Sequence, residues 1–347
     1  MLIPPISDSS APSAHGTRRI GFLLTPGFAM LAFSSAIEPL RAANRLLDRA
    51  AYQWRIHTAD GTPATASNGI AVVPHAGLEA SLWPQAVFVC AGLDPHLFDD
   101  RRANRWLQGH AARGIVIGAL STGSHVLARA GLLAGHRCTV HWEHAAVMRE
   151  QFPEVAVTDG LYEVDRQRWS CAGGTAALDM MLHLIAADHG PELAVAVSDQ
   201  FIHDRLRTPG VRQRRAGELR LNGLSPKLAA AIRIMEANVE NPLPQSEIAT
   251  RIGLSTRQLE RLFRQYRGCS PRSHYLDIRL RHARLLLLQT TMPVLDIALA
   301  SGFVTQSHFT KRYREHFGHT PSVDRGRRVP ARGPDPVMPP ADHAVAP

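Results

Sequence analysis

Ser121 stands in the run Ala119-Leu120-Ser121-Thr122-Gly123, between an apolar stretch at 114–120 and a segment with helical spacing at 124–133. A serine at a strand-to-helix turn is presented outward, where its hydroxyl can attack a carbonyl. His141 follows in the chain and is the residue type that can take the hydroxyl proton. The pair spells amide or ester hydrolysis. The Gly-x-Ser-x-Gly form is not met, because Ala119 occupies the first glycine position. A plainer use of the turn is structural, with the Ser121 hydroxyl and neighbouring N–H groups closing the start of a helix. The cysteines (90, 138, 171 and 269) show no Cys-x-x-Cys spacing. Reduced thiols are therefore expected, with no disulfide framework, metal site or cofactor.

A second chemistry is that of a polycation. Residues 1–210 carry 17 Arg against 19 acidic residues, whereas residues 211–328 carry 21 Lys and Arg against 9 acidic residues. The positive charge coincides with a pattern written twice. Ile248-Ala249, Gly253-Leu254, Phe263, Gly268 and Pro271 return as Ile297-Ala298, Gly302-Phe303, Tyr313, Gly318 and Pro321. One residue has been added between Gly302 and Phe309. Each copy is an apolar-faced segment, a glycine turn and a polar segment, the outline of a helix-turn-helix. In the first copy Ser255 and Gln258 form a capping-box pair, leaving Thr256, Arg257, Glu260 and Arg261 to face outward. In the second, Gln306, Ser307, Thr310 and Lys311 face outward. These side chains can reach base edges or phosphates in a major groove. Pro271 to Gln289 reads as one joining helix about 28 Å long, close to the ~34 Å between successive grooves on one face of DNA. Packing is the first role of its Arg272, Arg279, Arg281 and Arg284, with phosphate contact second.

Strands and helices alternate through the first two hundred residues. Apolar runs at 20–24, 52–58, 86–90 and 114–120 read as strands, and helices are predicted over 28–47, 104–113, 124–133, 145–152, 173–189 and 192–206. This alternation gives a parallel sheet with helices on both faces, and ligands then bind beyond the carboxyl ends of the strands. No apolar run approaches the ~20 residues of a membrane span.

Residues 248–321 resemble the DNA-binding domain of AraC/XylS regulators, on Gly253-Leu254-Ser255, Ile278-Arg279-x-x-x-Ala283, Ser301-Gly302-Phe303 and Gly318-His319-Thr320-Pro321. Residues 18–205 resemble the class I glutamine-amidotransferase-like (PfpI-type) domain of GlxA-type regulators. The carrying residues are Pro26-Gly27-Phe28, Glu38-Pro39-Leu40-Arg41, Ser121-Thr122-Gly123, His141-Trp142 and Cys171-Ala172-Gly173-Gly174-Thr175. Enzymes of that superfamily use an elbow cysteine with a glutamate and a histidine. Here the elbow residue is Ser121, Ala32 stands where the glutamate is expected, and His141 remains. The resemblance therefore implies an inactive fold kept as a ligand pocket, with Phe28, Ser121, Thr122, His141 and Trp142 as its residues.

The resulting expectation is a flavodoxin-like α/β sandwich followed by an all-α domain with two helix-turn-helix units. The predicted division is a disordered leader (1–17), a sensing domain (18–206), a linker (207–224), a DNA-binding domain (225–325) and a disordered tail (326–347). The partners expected are double-stranded promoter DNA, a small effector of amine, betaine or amino-acid catabolism, a second copy of the chain and RNA polymerase, in the cytoplasm and away from membranes. The alternative is a Ser121/His141 hydrolase with an attached DNA-binding domain.

Overall fold

The computed structural model describes residues 16–78, 84–213 and 225–326. The first domain is built on a six-stranded sheet of order β2-β1-β5-β6-β10-β9. Its strands are β1 (Arg18–Leu24), β2 (Tyr52–His57), β5 (Ala86–Ala91), β6 (Val116–Ser121), β9 (Tyr162–Asp165) and β10 (Arg168–Cys171). All pairings are parallel except that of β10 with the edge strand β9. The short pairs β3 (Ala64–Thr65) with β4 (Ala71–Val72) and β7 (Arg137–Cys138) with β8 (Ala156–Val157) lie outside this sheet.

The apolar runs explain why this sheet is buried on both faces. Successive side chains of a strand point to opposite sides. In β5, Ala86, Phe88 and Cys90 join one core, while Val87, Val89 and Ala91 join the other. The first core is closed by α1 (Met30–Leu46), α5 (Ala176–His189) and α6 (Pro191–Gln200), the second by α2 (Arg101–Ala111), α3 (Gly123–Arg129) and α4 (Ala145–Gln151). A strand covered on both faces has no polar side to show, so continuous rather than alternating hydrophobicity is its signature.

The helix expected over 192–206 ends at Gln200. Ile202 adopts φ +52°, a left-handed conformation that breaks the helix. The chain then runs as a strap across the domain because Asp179, with its side chain fully buried, draws it in. His203 Nε2 lies 3.0 Å from Asp179 Oδ1, the Arg207 backbone N–H donates to the same oxygen, and Arg207 Nε donates to Oδ2 at 2.8 Å. Residues 207–213 of the expected linker thus pack against the first domain. Residues 214–224 of that linker lie outside the described residues, as do residues 1–15 of the leader and 327–347 of the tail.

The second domain is helical throughout: α7 (Pro226–Ala237), α8 (Gln245–Arg251), α9 (Thr256–Arg267), α10 (Pro271–Gln289), α11 (Val294–Ala300), α12 (Gln306–Phe317) and α13 (Pro321–Gly326). The joining helix α10 spans the predicted residues. Its Tyr275 belongs to the core of the first unit, with Ile248, Leu259 and Phe263, while Leu280, Ala283 and Leu286 belong to that of the second, with Ile297, Phe309 and Tyr313. One helix therefore fixes the two units relative to each other. Among the described residues no helix is long and apolar enough to cross a membrane.

Candidate functional site

Ser121 ends β6 with φ +60°, a conformation that costs a non-glycine residue about 1–3 kcal/mol and that marks an elbow between strand and helix. Two glycines let the elbow exist. A Cβ on Gly123 would come within 2.1 Å of the Val89 carbonyl oxygen, and one on Gly173 within 2.7 Å of Ser121 Cβ. Thr122 is anchored by its hydroxyl, which donates to the Gly92 carbonyl at 2.5 Å. Gly92 pairs with Phe28 in turn. Gly174 faces Leu31, which is 60% exposed. The carboxyl ends of β1, β5, β6 and β10 therefore meet around Ser121, as the topology demands.

Directly behind the elbow lies Cys171, a residue that sequence reasoning placed in a motif without giving it a task. The backbone N–H groups of Ser121 and Gly173 approach its sulfur, yet burial dominates and pushes the thiol up to about 11. It is a neutral packing group at pH 7, not a thiolate.

His141 and Trp142 sit on the loop after β7, half-buried and 36% exposed respectively. Their rings lie 5.6 Å apart, and His141 Nδ1 is 3.6 Å from a carboxylate oxygen of Glu143. Burial lowers the His141 pKa, against a smaller opposing pull from Glu143, so the imidazole is neutral at pH 7. No hydrogen bond joins Ser121 Oγ to His141 among the described residues. The loop is tied to the elbow indirectly. Ser124 Oγ donates to the Thr139 carbonyl at 2.6 Å, and the Thr139 N–H donates to Ser170 Oγ at 2.9 Å.

The expectation for Phe28 needs correction. Its ring is fully buried and packs edge-on against Phe33 at 5.8 Å. The turn that carries it folds inward because its backbone pairs with Gly92, so the ring belongs to the core and has no face open to a ligand. Trp142 is the aromatic side chain that remains available. A hollow of about 520 Å³ lies elsewhere, against α7 and α8 beside Lys227 and Arg251.

The positions expected to face DNA lie on two capped helices, α9 and α12, and all but Thr310 are exposed. Ser255 caps α9 in a reciprocal box: the Gln258 N–H donates to Ser255 Oγ at 3.3 Å, and the Ser255 N–H donates to Gln258 Oε1 at 2.8 Å. Leu259 and Phe263 turn inward, leaving Thr256, Arg257, Glu260 and Arg261 exposed. Thr305 caps α12 by accepting from the His308 N–H at 3.3 Å. Gln306, Ser307 and Lys311 are exposed and Thr310 is half-buried. The added residue is Val304, 88% exposed, between Phe303 and the cap. On α10, Arg279 turns inward: Nε and Nη2 donate to the carbonyls of Ser301 and Gly302, and the guanidinium lies 4.3 Å from the Phe303 ring centre. Arg284 pairs with Asp324.

A mostly parallel sheet with a strained elbow, joined to two capped helix-turn-helix units, defines a two-domain protein of DNA-binding regulator type. Residues 18–187 match the DJ-1/PfpI family, and residues 248–327 match a helix-turn-helix domain family. The chain is 43% identical over 337 residues to the HTH-type transcriptional regulator GbdR of Pseudomonas aeruginosa, covering 97% of this chain and 92% of that one. It is 43% identical over 324 residues to the regulator CdhR of the same species, covering 93% and 96%. It is 38% identical over 321 residues to the regulator GlxA of Rhizobium meliloti, covering 92% and 99%. The chain belongs to the GlxA-type AraC-family transcriptional regulators, and DNA is its partner.

Proposed function

We propose that the first domain senses a small metabolite, that the site is the elbow region with Ser121, Thr122, His141 and Trp142, and that occupancy sets the activity of the DNA-bound dimer at a promoter, where it meets RNA polymerase. The observation that carries this reading is the elbow itself. Its strained geometry is kept, but among the described residues no base is hydrogen-bonded to Ser121, and buried Ala32 stands where a carboxylate would be needed. A serine hydroxyl without an aligned base is a poor nucleophile but a good hydrogen-bond donor to a ligand. The effector class expected from the family resemblance is an amine, betaine or amino acid. The half-exposed Trp142 ring beside the Glu143 carboxylate offers a cation a π-face and a counter-charge.

Thermal unfolding of the full chain with glycine betaine, arginine and related amines tests this. A ligand at 100 times its Kd stabilises the native state by about 2.7 kcal/mol. Trp142→Ala should abolish the shift of whichever compound produces one. A shift that survives both Trp142→Ala and Ser121→Ala would move the site elsewhere. Hydrolysis of an amide or ester that Ser121→Ala abolishes would replace sensing by catalysis.

A further inference from the structure

Between the elbow and the reader runs one short piece of chain, residues 139–151, and each of its ends is gripped by a different part of the molecule. At the first end the strap is held. Gln213 is 8% exposed, and its side-chain amide donates to Thr139 Oγ1 at 3.0 Å, to the Val140 carbonyl at 2.9 Å and to the Gly160 carbonyl at 3.1 Å. The Gln213 N–H donates to the Asp159 carbonyl, and Arg212 bridges to Gly160. A buried amide with this many partners fixes its backbone in place, because breaking the set strands polar groups away from water. At the other end is α4. Its Val147, 1% exposed, is counted in the core of the second reading unit with Leu280, Leu286 and Ile297, and α4 packs along α10. Between the two grips lie His141 and Trp142.

We propose that residues 139–151 form a clamp that transmits the state of the elbow pocket to the second reading unit, holding the interdomain strap through Gln213 and the reader through Val147. The proposal rests on the sensing role of the pocket but adds the route out of it. The clamp sets orientation and does not mask the reader: Gln306, Ser307 and Lys311 stay exposed while α4 is docked. Burial first, and then the like charges of Glu240 and Asp296, raise the Glu150 pKa, so charge at this position works against the apolar docking of Val147.

Hydrogen exchange of the full chain, with no ligand added, reads the clamp independently of any effector. Val147→Asp should speed exchange across residues 280–287 by about tenfold, leaving residues 228–235 of the first unit unchanged. Glu150→Lys, at an exposed position where folding is not at stake, should slow exchange at 280–287 by about threefold. Gln213→Ala should speed exchange at 139–144 and, through α4, at 280–287. Unchanged exchange at 280–287 in both α4 variants would remove the docking. A Gln213→Ala effect confined to residues 211–213 would remove the coupling. Failure of every compound in the thermal screen would count against the pocket and leave these results standing.

Discussion

The two reading units share a pattern but not a neighbourhood. The first is completed from within the reader, with Leu228 and Ile232 of α7 closing the core of Ile248, Leu259 and Phe263. The second takes Val147 from the first domain into the core of Ile297, Phe309 and Tyr313. The faces proposed to read DNA differ in kind as well. Arg257, Glu260 and Arg261 are charged, whereas Gln306, Ser307 and Thr310 are neutral donors and acceptors beside Lys311. The repeated pattern therefore gives two similar modules, of which one carries the denser charge and the other packs against the first domain.

The sharpest way to break this comparison is through the cores. Phe263→Ala and Phe309→Ala should each cost about 3–5 kcal/mol, measured by denaturant unfolding. Only Phe309→Ala should also speed exchange in α4. Equal effects of both on residues 145–151 would end the asymmetry.

Acid should separate the units next. Burial holds the His282 pKa down to about 4 in the second unit. A histidine with a lowered folded pKa binds fewer protons folded than unfolded, so stability is lost as pH falls below its unfolded value of about 6.5. The loss is about 3 kcal/mol by pH 4. Burial pushes the Asp324 carboxyl up, but hydrogen bonds from Tyr313 and His319 and the charge of Arg284 outweigh it and leave it lowered. That stability is present above the unfolded carboxylate value and is lost as pH falls through the folded one, in the same direction. Burial lowers His274 of the first unit in the same direction, but the second unit adds Asp324 to His282, so it should loosen first on acidification, read by hydrogen exchange. First-unit loosening at a higher pH would contradict the assignment.

At the DNA the expected effects are smaller. Arg257→Ala should weaken binding to a selected operator by about 1–3 kcal/mol and relax selectivity at one base pair. Gln306→Ala should do so at a different base pair, roughly one helical turn away. Competition binding against single-base operator variants distinguishes them, and unchanged affinity for Arg257→Ala would withdraw its role. The helix caps come last. Ser255→Ala and Thr305→Ala should each cost about 1 kcal/mol, the former more, since it breaks a reciprocal pair and the latter a single bond.

Much of this was legible in the chain. The repeat, the Ser255 cap, the span of α10 and the outward residues of α9 follow from spacing, because periodicity and capping are local properties. The parallel sheet followed from uninterrupted apolar runs. What the chain did not disclose were long-range partnerships. Phe28 was expected in the pocket, and its pairing partner, Gly92, which turns it into the core, is far along the sequence. The predicted helix to 206 kept its periodicity on paper, but Asp179 pulls His203 out of it and anchors Arg207 just beyond it. Gln213 sat among arginines and looked like linker, and nothing near it in sequence hints at Thr139 or Gly160. Val147 is an unremarkable apolar residue until α10 lies over it.

The inward turn of Arg279 has a consequence for how the reader responds to ions. Its guanidinium serves the Ser301 and Gly302 carbonyls, and Arg251, Arg281, Arg284 and Arg312 each sit against a carboxylate. Such groups release few counterions from a DNA backbone. The steepness with which affinity falls as salt rises should therefore be set by the smaller group that includes Arg257, Arg261 and Lys311, and fall well short of what the total of basic residues suggests.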